Sequence, residues 1–292
     1  MRRWLLLVAL SLILVLSACT QTLPPPPAAG EGAPAGESAA PAEAPADTDE
    51  LTLAKLKEKG VLVVGTAITK PFEFRDPETN ELVGFDVDTA KYIADKLGVD
   101  LEFREMPFAS LIPSLETRKV DMTIAAMYIK PEREEVVDFA TPYMETGLVM
   151  VVRPELVDKV KTPEDLAGLR VGVKIGATGD KLAQELIDQG IDLVRKEYKE
   201  TLESFVDAEA GRVDVVLNDY LNTLAYLKDT GSDLQIVKNE DGEVNFLSHV
   251  GLGIAVHDGD AELLAAINQA LEEMQADGTY DALYQKWLLA SQ

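Results

Sequence analysis

From Glu50 onward the sequence alternates, twice over, between short apolar runs and helix-period stripes, and this alternation narrows the possible folds more than any other feature. Leu53 and Leu56 suit a short helix that Gly60 ends, and Val61-Leu62-Val63-Val64 reads as a buried strand. Gly84-Phe85-Asp86 opens a helix with Asp86 as its expected N-cap. Val87, Ala90, Ala94 and Leu97 then share one face, and Gly98 closes it. Val99–Phe103 and Asp121–Ala126 read as strands on either side of a short helix capped by Ser110. A second series follows, with strands at Arg170–Lys174, Leu193–Arg195, Val213–Leu217 and Leu234–Val237. Its helices fall at Asp180–Gln189, Glu200–Ala210 and from Asn218-Asp219 to Leu227. Two closing helices carry the stripes Leu264, Ile267, Leu271, Met274 and Tyr280, Leu283, Trp287. Such alternation calls for α/β architecture with mainly parallel sheet covered on both faces. Strands near 148–152 and 251–256 can pass between the two series, giving two lobes and a double-crossing hinge; one larger sheet fits the same pattern.

The N-terminus does not belong to that fold. Met1-Arg2-Arg3 precedes a run from Trp4 to Leu16 that is apolar except for Ser11, too short for a comfortable membrane span and laid out as a secretory signal. The run ends in Leu16-Ser17-Ala18-Cys19, which resembles the lipobox of bacterial lipoproteins, where cleavage precedes the cysteine and its thiol takes a lipid. Residues 1–18 are therefore expected to be a signal peptide and Cys19 the lipidated residue. Residues 19–49 hold seven of the fifteen prolines and almost no large apolar side chain, so they are expected to be an extended tether. Cys19 is also the only cysteine, so no intramolecular disulfide can support the exported fold. Net charge is −24, which excludes nucleic acid as a natural partner because phosphate binding needs surplus Lys and Arg. His249 and His257, without neighbouring cysteines, make no metal site, and no cofactor motif is present.

The stretch Asp121–Tyr143 carries the most chemistry. Its apolar strand breaks at Lys130-Pro131, since proline fixes its own φ and biases the residue before it away from helix. Arg133 then falls just past the carboxyl end of a buried strand, where open α/β sheets bind ligands. A guanidinium there can grip a carboxylate with its planar fork. The surrounding Glu132, Glu134 and Glu135 equally fit a solvated charge run.

Seven ordered motifs along the chain carry a family resemblance that favours the ligand clamp. They are Pro71-Phe72-Glu73-Phe74, Gly84-Phe85-Asp86-Val87-Asp88, Leu111-Ile112-Pro113-Ser114-Leu115, Pro131-Glu132-Arg133, Asp138-Phe139-Ala140-Thr141-Pro142-Tyr143, Glu164-Asp165-Leu166-Ala167-Gly168 and Gly278-Thr279-Tyr280. From about Leu51 to Leu288 the chain resembles the amino-acid-binding receptors of bacterial ABC importers, solute-binding protein family 3. The resemblance implies the type II periplasmic-binding-protein fold: two doubly wound α/β lobes joined by a two-strand hinge. Lobe 1 would comprise residues 50–147 plus 251–292, and lobe 2 residues 148–250. It further implies a monomer that takes a small zwitterionic ligand in its cleft, delivers it to an ABC permease and is held at the outer face of a membrane by its lipid.

Carried over by position, Arg133 matches the arginine that grips the ligand α-carboxylate, Thr178 a second-lobe group that joins the grip, and Asp219 the carboxylate that takes the α-ammonium. Phe108 matches an aromatic that packs on the ligand, and Lys174 a position that can touch its side chain. Thr178 and Asp219 also read as ordinary helix starts, Phe108 as core, and Lys174 as a surface lysine. Two departures bear on the ligand. Tyr128, after Ala125-Ala126-Met127, stands where relatives usually have Ser or Thr; there Ala126 and its neighbours offer backbone contacts while an aromatic ring enters the pocket. The loop Gly65–Lys70 is one residue short and lacks the usual acid and aromatic, which argues against Lys, Arg or His as ligand. A receptor for a compatible solute such as ectoine is one alternative. A dehydratase on the same fold, with Asp219 or Glu73 as its acid or base, is another, and a receptor that reports to a separate sensor is a third.

Overall fold

The computed structural model describes residues 51–289, so the signal-peptide reading of 1–18, the lipidation of Cys19 and the tether to residue 49 lie outside the described residues. Among the described residues no helix is long and apolar enough to cross a membrane.

Two sheets form the frame. The first has the spatial order Asp100–Glu105, Val61–Thr66, Met122–Thr123, Ala255–His257, Val137–Phe139. Val61–Thr66 is parallel to both neighbours, and Ala255–His257 runs antiparallel between its own. The second has the order Gln235–Ile236, Met144–Val152, Val215–Asp219, Arg170–Lys174, Val194–Tyr198, and Phe246–Leu252 also pairs with Met144–Val152. That last antiparallel pair, in register from Leu252 opposite Met144 to Ser248 opposite Leu148 and then shifted by one residue before Phe246 pairs with Val149, links the two sheets.

Period-2 alternation distributes the core. Leu62 and Val64 face the helices Phe85–Leu97 and Ala261–Ala276, packing near Phe85, Ile93, Ile267 and Met274, whereas Val63 points to the opposite face with Leu115 and Val120. In the second sheet Met150 and Val152 join Val171, Val173 and Val215 on one face. Val149 and Val151 join Phe205 and Val216 on the other. Each lobe is thus a sheet buried on both sides, as parallel sheets require.

Several local expectations give way to packing. Asp86 does not cap its helix: Gly84 is the N-cap at φ 137°, and a Cβ there would lie 2.1 Å from the Phe72 carbonyl oxygen. The Asp86 side chain turns inward instead and is fully buried. The strand expected over Asp121–Ala126 is reduced to Met122–Thr123, because Ala126 adopts φ 47°, a left-handed conformation that ends a ladder. The expected strand Gly251–Val256 splits around Gly253, which Ile129 and Phe139 approach so closely that a Cβ would clash at 2.6 and 2.7 Å. The helix expected from Asp180 begins two residues earlier, at Thr178.

Candidate functional site

The structure brings all seven sequence-nominated ligand residues together around one cavity of about 50 Å³ between the lobes: Phe108, Ala126, Tyr128 and Arg133 from the first, Lys174, Thr178 and Asp219 from the second. Each owes its place to a carboxyl end of a strand or a break just beyond one. Lys174 ends Arg170–Lys174, and Asp219 ends Val215–Asp219. These are the positions at which open α/β sheets present ligand-binding groups.

Arg133 lies in the short helix Pro131–Glu134, with Pro131 at its first position and Lys130 extended before it. The side chain is 5 % exposed. Its Nη1 donates to the Tyr128 carbonyl at 2.7 Å and its Nη2 to the Gly176 carbonyl of the other lobe at 3.3 Å. Burial pulls the guanidinium down to about 10, opposed by the nearby Glu132 charge, so it is still cationic at neutral pH. Two cations approach the Phe108 ring, the Arg133 guanidinium at 5.4 Å and Lys174 Nζ at 5.4 Å from its centroid.

Asp219 faces Arg133's lobe from the other side. As N-cap of the helix Tyr220–Thr230 it accepts from the Asn222 N–H at 3.0 Å through Oδ1. Its Oδ2 accepts from the Tyr128 hydroxyl and the Thr146 hydroxyl, both at 2.8 Å. Burial pushes this carboxyl up, and the donated bonds pull it back down. The capping role and a place in the cavity wall therefore coexist in one residue. Tyr128 spans the lobes: its backbone bridges to Leu252 of the linking pair, its hydroxyl reaches Asp219, and burial beside that carboxylate raises the phenol.

Thr178 is the first residue of the helix Thr178–Asp188, whose opening turn lines the cavity with Ala177 and Gly179. Helix starts present unpaired N–H groups and a positive dipole end, which favour an anion. Gly179 is required for this approach, since a Cβ there would stand 2.6 Å from the Leu217 carbonyl oxygen. Lys174, 6 % exposed, crosses to the first lobe and donates to the Ile68 carbonyl at 3.0 Å and the Thr69 hydroxyl at 3.2 Å, and it pairs with Glu200 at 3.3 Å.

Behind the cavity wall lies a buried acid pair; sequence reasoning read Asp86 as a helix cap and Glu73 as one of two possible acids of the dehydratase alternative. Glu73 and Asp86 are both fully buried. Asp86 Oδ2 accepts from the Ala126 N–H at 2.8 Å and the Tyr143 hydroxyl at 3.0 Å, which holds the left-handed Ala126 in place. Neither Glu73 oxygen nor Asp86 Oδ1 meets an N–H or hydroxyl donor within ordinary hydrogen-bonding limits. A proton shared between the two carboxyls would satisfy one oxygen of each. Burial first, then the Asp86 charge, pushes Glu73 well above the usual carboxylate range. Thr69, Thr146 and Thr201 also escaped the sequence reading; Thr146 gives no signal until the register of the linking strands is known.

Two doubly wound lobes, linked by a strand pair and enclosing charged groups of both signs, define a two-lobed solute-binding protein. The chain belongs to the bacterial extracellular solute-binding proteins, family 3, which match residues 62–290. It is 34 % identical over 240 residues to the L-cystine-binding protein TcyJ of Escherichia coli (strain K12), covering 82 % of this chain and 86 % of that one. An ancestral arginine-binding protein bound to arginine superposes with a TM-score of 0.71 at 43 % identity, over 78 % of this chain and 98 % of the other. The ancestral amino acid-binding protein AncCDT-1, a precursor of cyclohexadienyl dehydratase, superposes with a TM-score of 0.72 at 36 % identity, over 81 % and 99 %.

Proposed function

We propose that this chain is the lipid-anchored, extracytoplasmic binding component of an ABC importer, and that it takes an amino acid or related zwitterion between its lobes and hands it to a permease. The observation that carries this reading is the placement of Arg133 and Asp219 on opposite lobes of one cavity. A zwitterion leaving water needs both charges paired, and this arrangement supplies a cation for the α-carboxylate and a carboxylate for the α-ammonium. Thr178 and its helix start add donors to the carboxylate, Phe108 and Tyr128 shape the body of the site, and Ala126 lines its wall. Because the two charges come from different lobes, full pairing favours the closed arrangement and binding shifts the population toward it. The molecule acts as a monomer.

Among the described residues no carboxylate from the first lobe lines the cavity, and Lys174 does, so a cationic side chain finds no partner beside the head group. An uncharged or dipolar side chain suits the site better. Binding rather than catalysis is supported by the acids themselves: Asp219 is held by three donors, and Glu73 is buried away from the cavity lining.

The test is a thermal-shift screen of the protein against the twenty amino acids, ectoine and betaine. A ligand at a hundredfold excess over its Kd adds about 2.7 kcal/mol, or roughly 5–10 °C for a fold of this size. At least one amino acid is expected to give such a shift. A shift confined to ectoine moves the assignment to a compatible-solute receptor, and no shift across the panel overturns the reading.

A further inference from the structure

A second cavity, of about 390 Å³, opens between the lobes beside the first and shares Thr69 and Thr201 with it. The first cavity alone is well below the size range of ordinary ligand sites, roughly 300–1,000 Å³, and the second falls within it. Between them stands the Lys174–Glu200 pair: Lys174 lines the smaller cavity, and Glu200 lines the larger.

The larger cavity has an apolar middle and charged groups of both signs. Phe74 contributes from the first lobe; Phe205 and Tyr226, stacked at 4.3 Å, contribute from the second, and Leu202 stands at the rim, 59 % exposed. Lys70 pairs with Asp229 across the lobes, and their side chains are 43 % and 39 % exposed. An ion pair this exposed is weak, so its partners can exchange each other for charges on a ligand. A cation and a carboxylate together, beside aromatic walls, match a distal group that is itself zwitterionic.

We propose that the two cavities form one compound site for an elongated bis-amino acid. One head would sit at Arg133 and Asp219, the chain would run past Thr69 and Thr201, and the second head would lie at Lys70 and Asp229. The proposal rests on the head-group reading given under Proposed function and adds the substrate class. Leu202 and Asp229 then become specificity-determining residues outside the head-group cavity.

Titration calorimetry with cystathionine, a thioether-bridged bis-amino acid, and with serine as a short ligand tests it. The wild-type protein is expected to bind cystathionine at least tenfold more tightly than serine. Leu202→Trp, which fills the rim, and Asp229→Ala, which removes the distal carboxylate, should each cut that ratio at least fivefold and leave serine binding in place. The ratio is the useful quantity, because any effect of Asp229 on lobe closure acts on both ligands alike. Serine binding with no preference for cystathionine, or a preference that survives both substitutions, overturns the compound site and leaves the head-group reading standing. Failure of both ligands to bind, together with a flat amino-acid screen, overturns the head-group reading and the proposal with it.

Discussion

Replacing Asp86 by Asn should flatten the pH dependence of folding stability between pH 4 and 6. Asp86 is fully buried, and burial raises its carboxyl from an ordinary 3.8 to about 6 against the pull of the Ala126 N–H and the Glu73 and Tyr143 side chains. In the unfolded chain the group ionises near pH 4, whereas in the folded protein it keeps its proton until about pH 6. Between those values the native state holds the extra proton, so stability falls as pH rises through the window and stays at the lower value above it. The corresponding loss is about 3 kcal/mol. Asn presents an amide oxygen to the same two donors and does not titrate, and its NH₂ can donate to Glu73. The difference between variant and wild type should therefore shift by about 3 kcal/mol in the variant's favour from pH 4 to pH 7. Urea unfolding followed by tryptophan fluorescence at pH 4, 5, 6 and 7 reads this out. Taking the difference cancels carboxylates remote from the Asp86–Glu73 pair, such as Asp214, which Arg170 holds down at about 2 and which acts in the opposite direction. A difference that stays constant across the four pH values to within about 1 kcal/mol would refute the reasoning.

Two further outcomes follow from contacts around the cavity. Tyr128→Phe deletes the hydroxyl that bonds Asp219 across the lobes at 2.8 Å; a bond to a charged acceptor contributes about 1.5–3 kcal/mol, so the urea midpoint should fall accordingly, and an unchanged midpoint would show that the bond carries nothing. Gly179→Ala pushes a methyl to within 2.6 Å of the Leu217 carbonyl oxygen, so a loss of about 1–3 kcal/mol is expected in the same assay, and wild-type stability would mean that the helix start has room to retreat.

The alternation of strand and helix was legible because both sheets are buried on two faces, which turns their strands into continuous apolar runs such as Val61–Val64 and Leu148–Val152. Arg133 was legible as a position, since the Lys130-Pro131 break is written in the residues, and its role came from ordered motifs rather than from the charge run around it. What escaped the sequence depends on contacts between distant segments. Asp86 reads locally as a cap, but the Gly84 approach to Phe72 turns it inward to meet Ala126, forty residues on. Ala126 reads as strand, yet the Asp86 carboxylate holds it at φ 47°. The second cavity needs Lys70, Leu202 and Asp229 from three separate segments, and no local pattern joins them.

The central claim is that Arg133 and Asp219 jointly hold a zwitterion, and calorimetry on Arg133→Ala with the amino acid that gives the largest thermal shift tests it most directly. Losing one partner of a desolvated charge pair costs about 2–5 kcal/mol, on the order of 30- to 5,000-fold in Kd. The ligand-free melting transition should stay close to wild type, because removing a buried cation relieves its desolvation and so offsets the loss of its bonds to the Tyr128 and Gly176 carbonyls. The account predicts lost affinity with an intact melt; wild-type affinity in the alanine variant would contradict it.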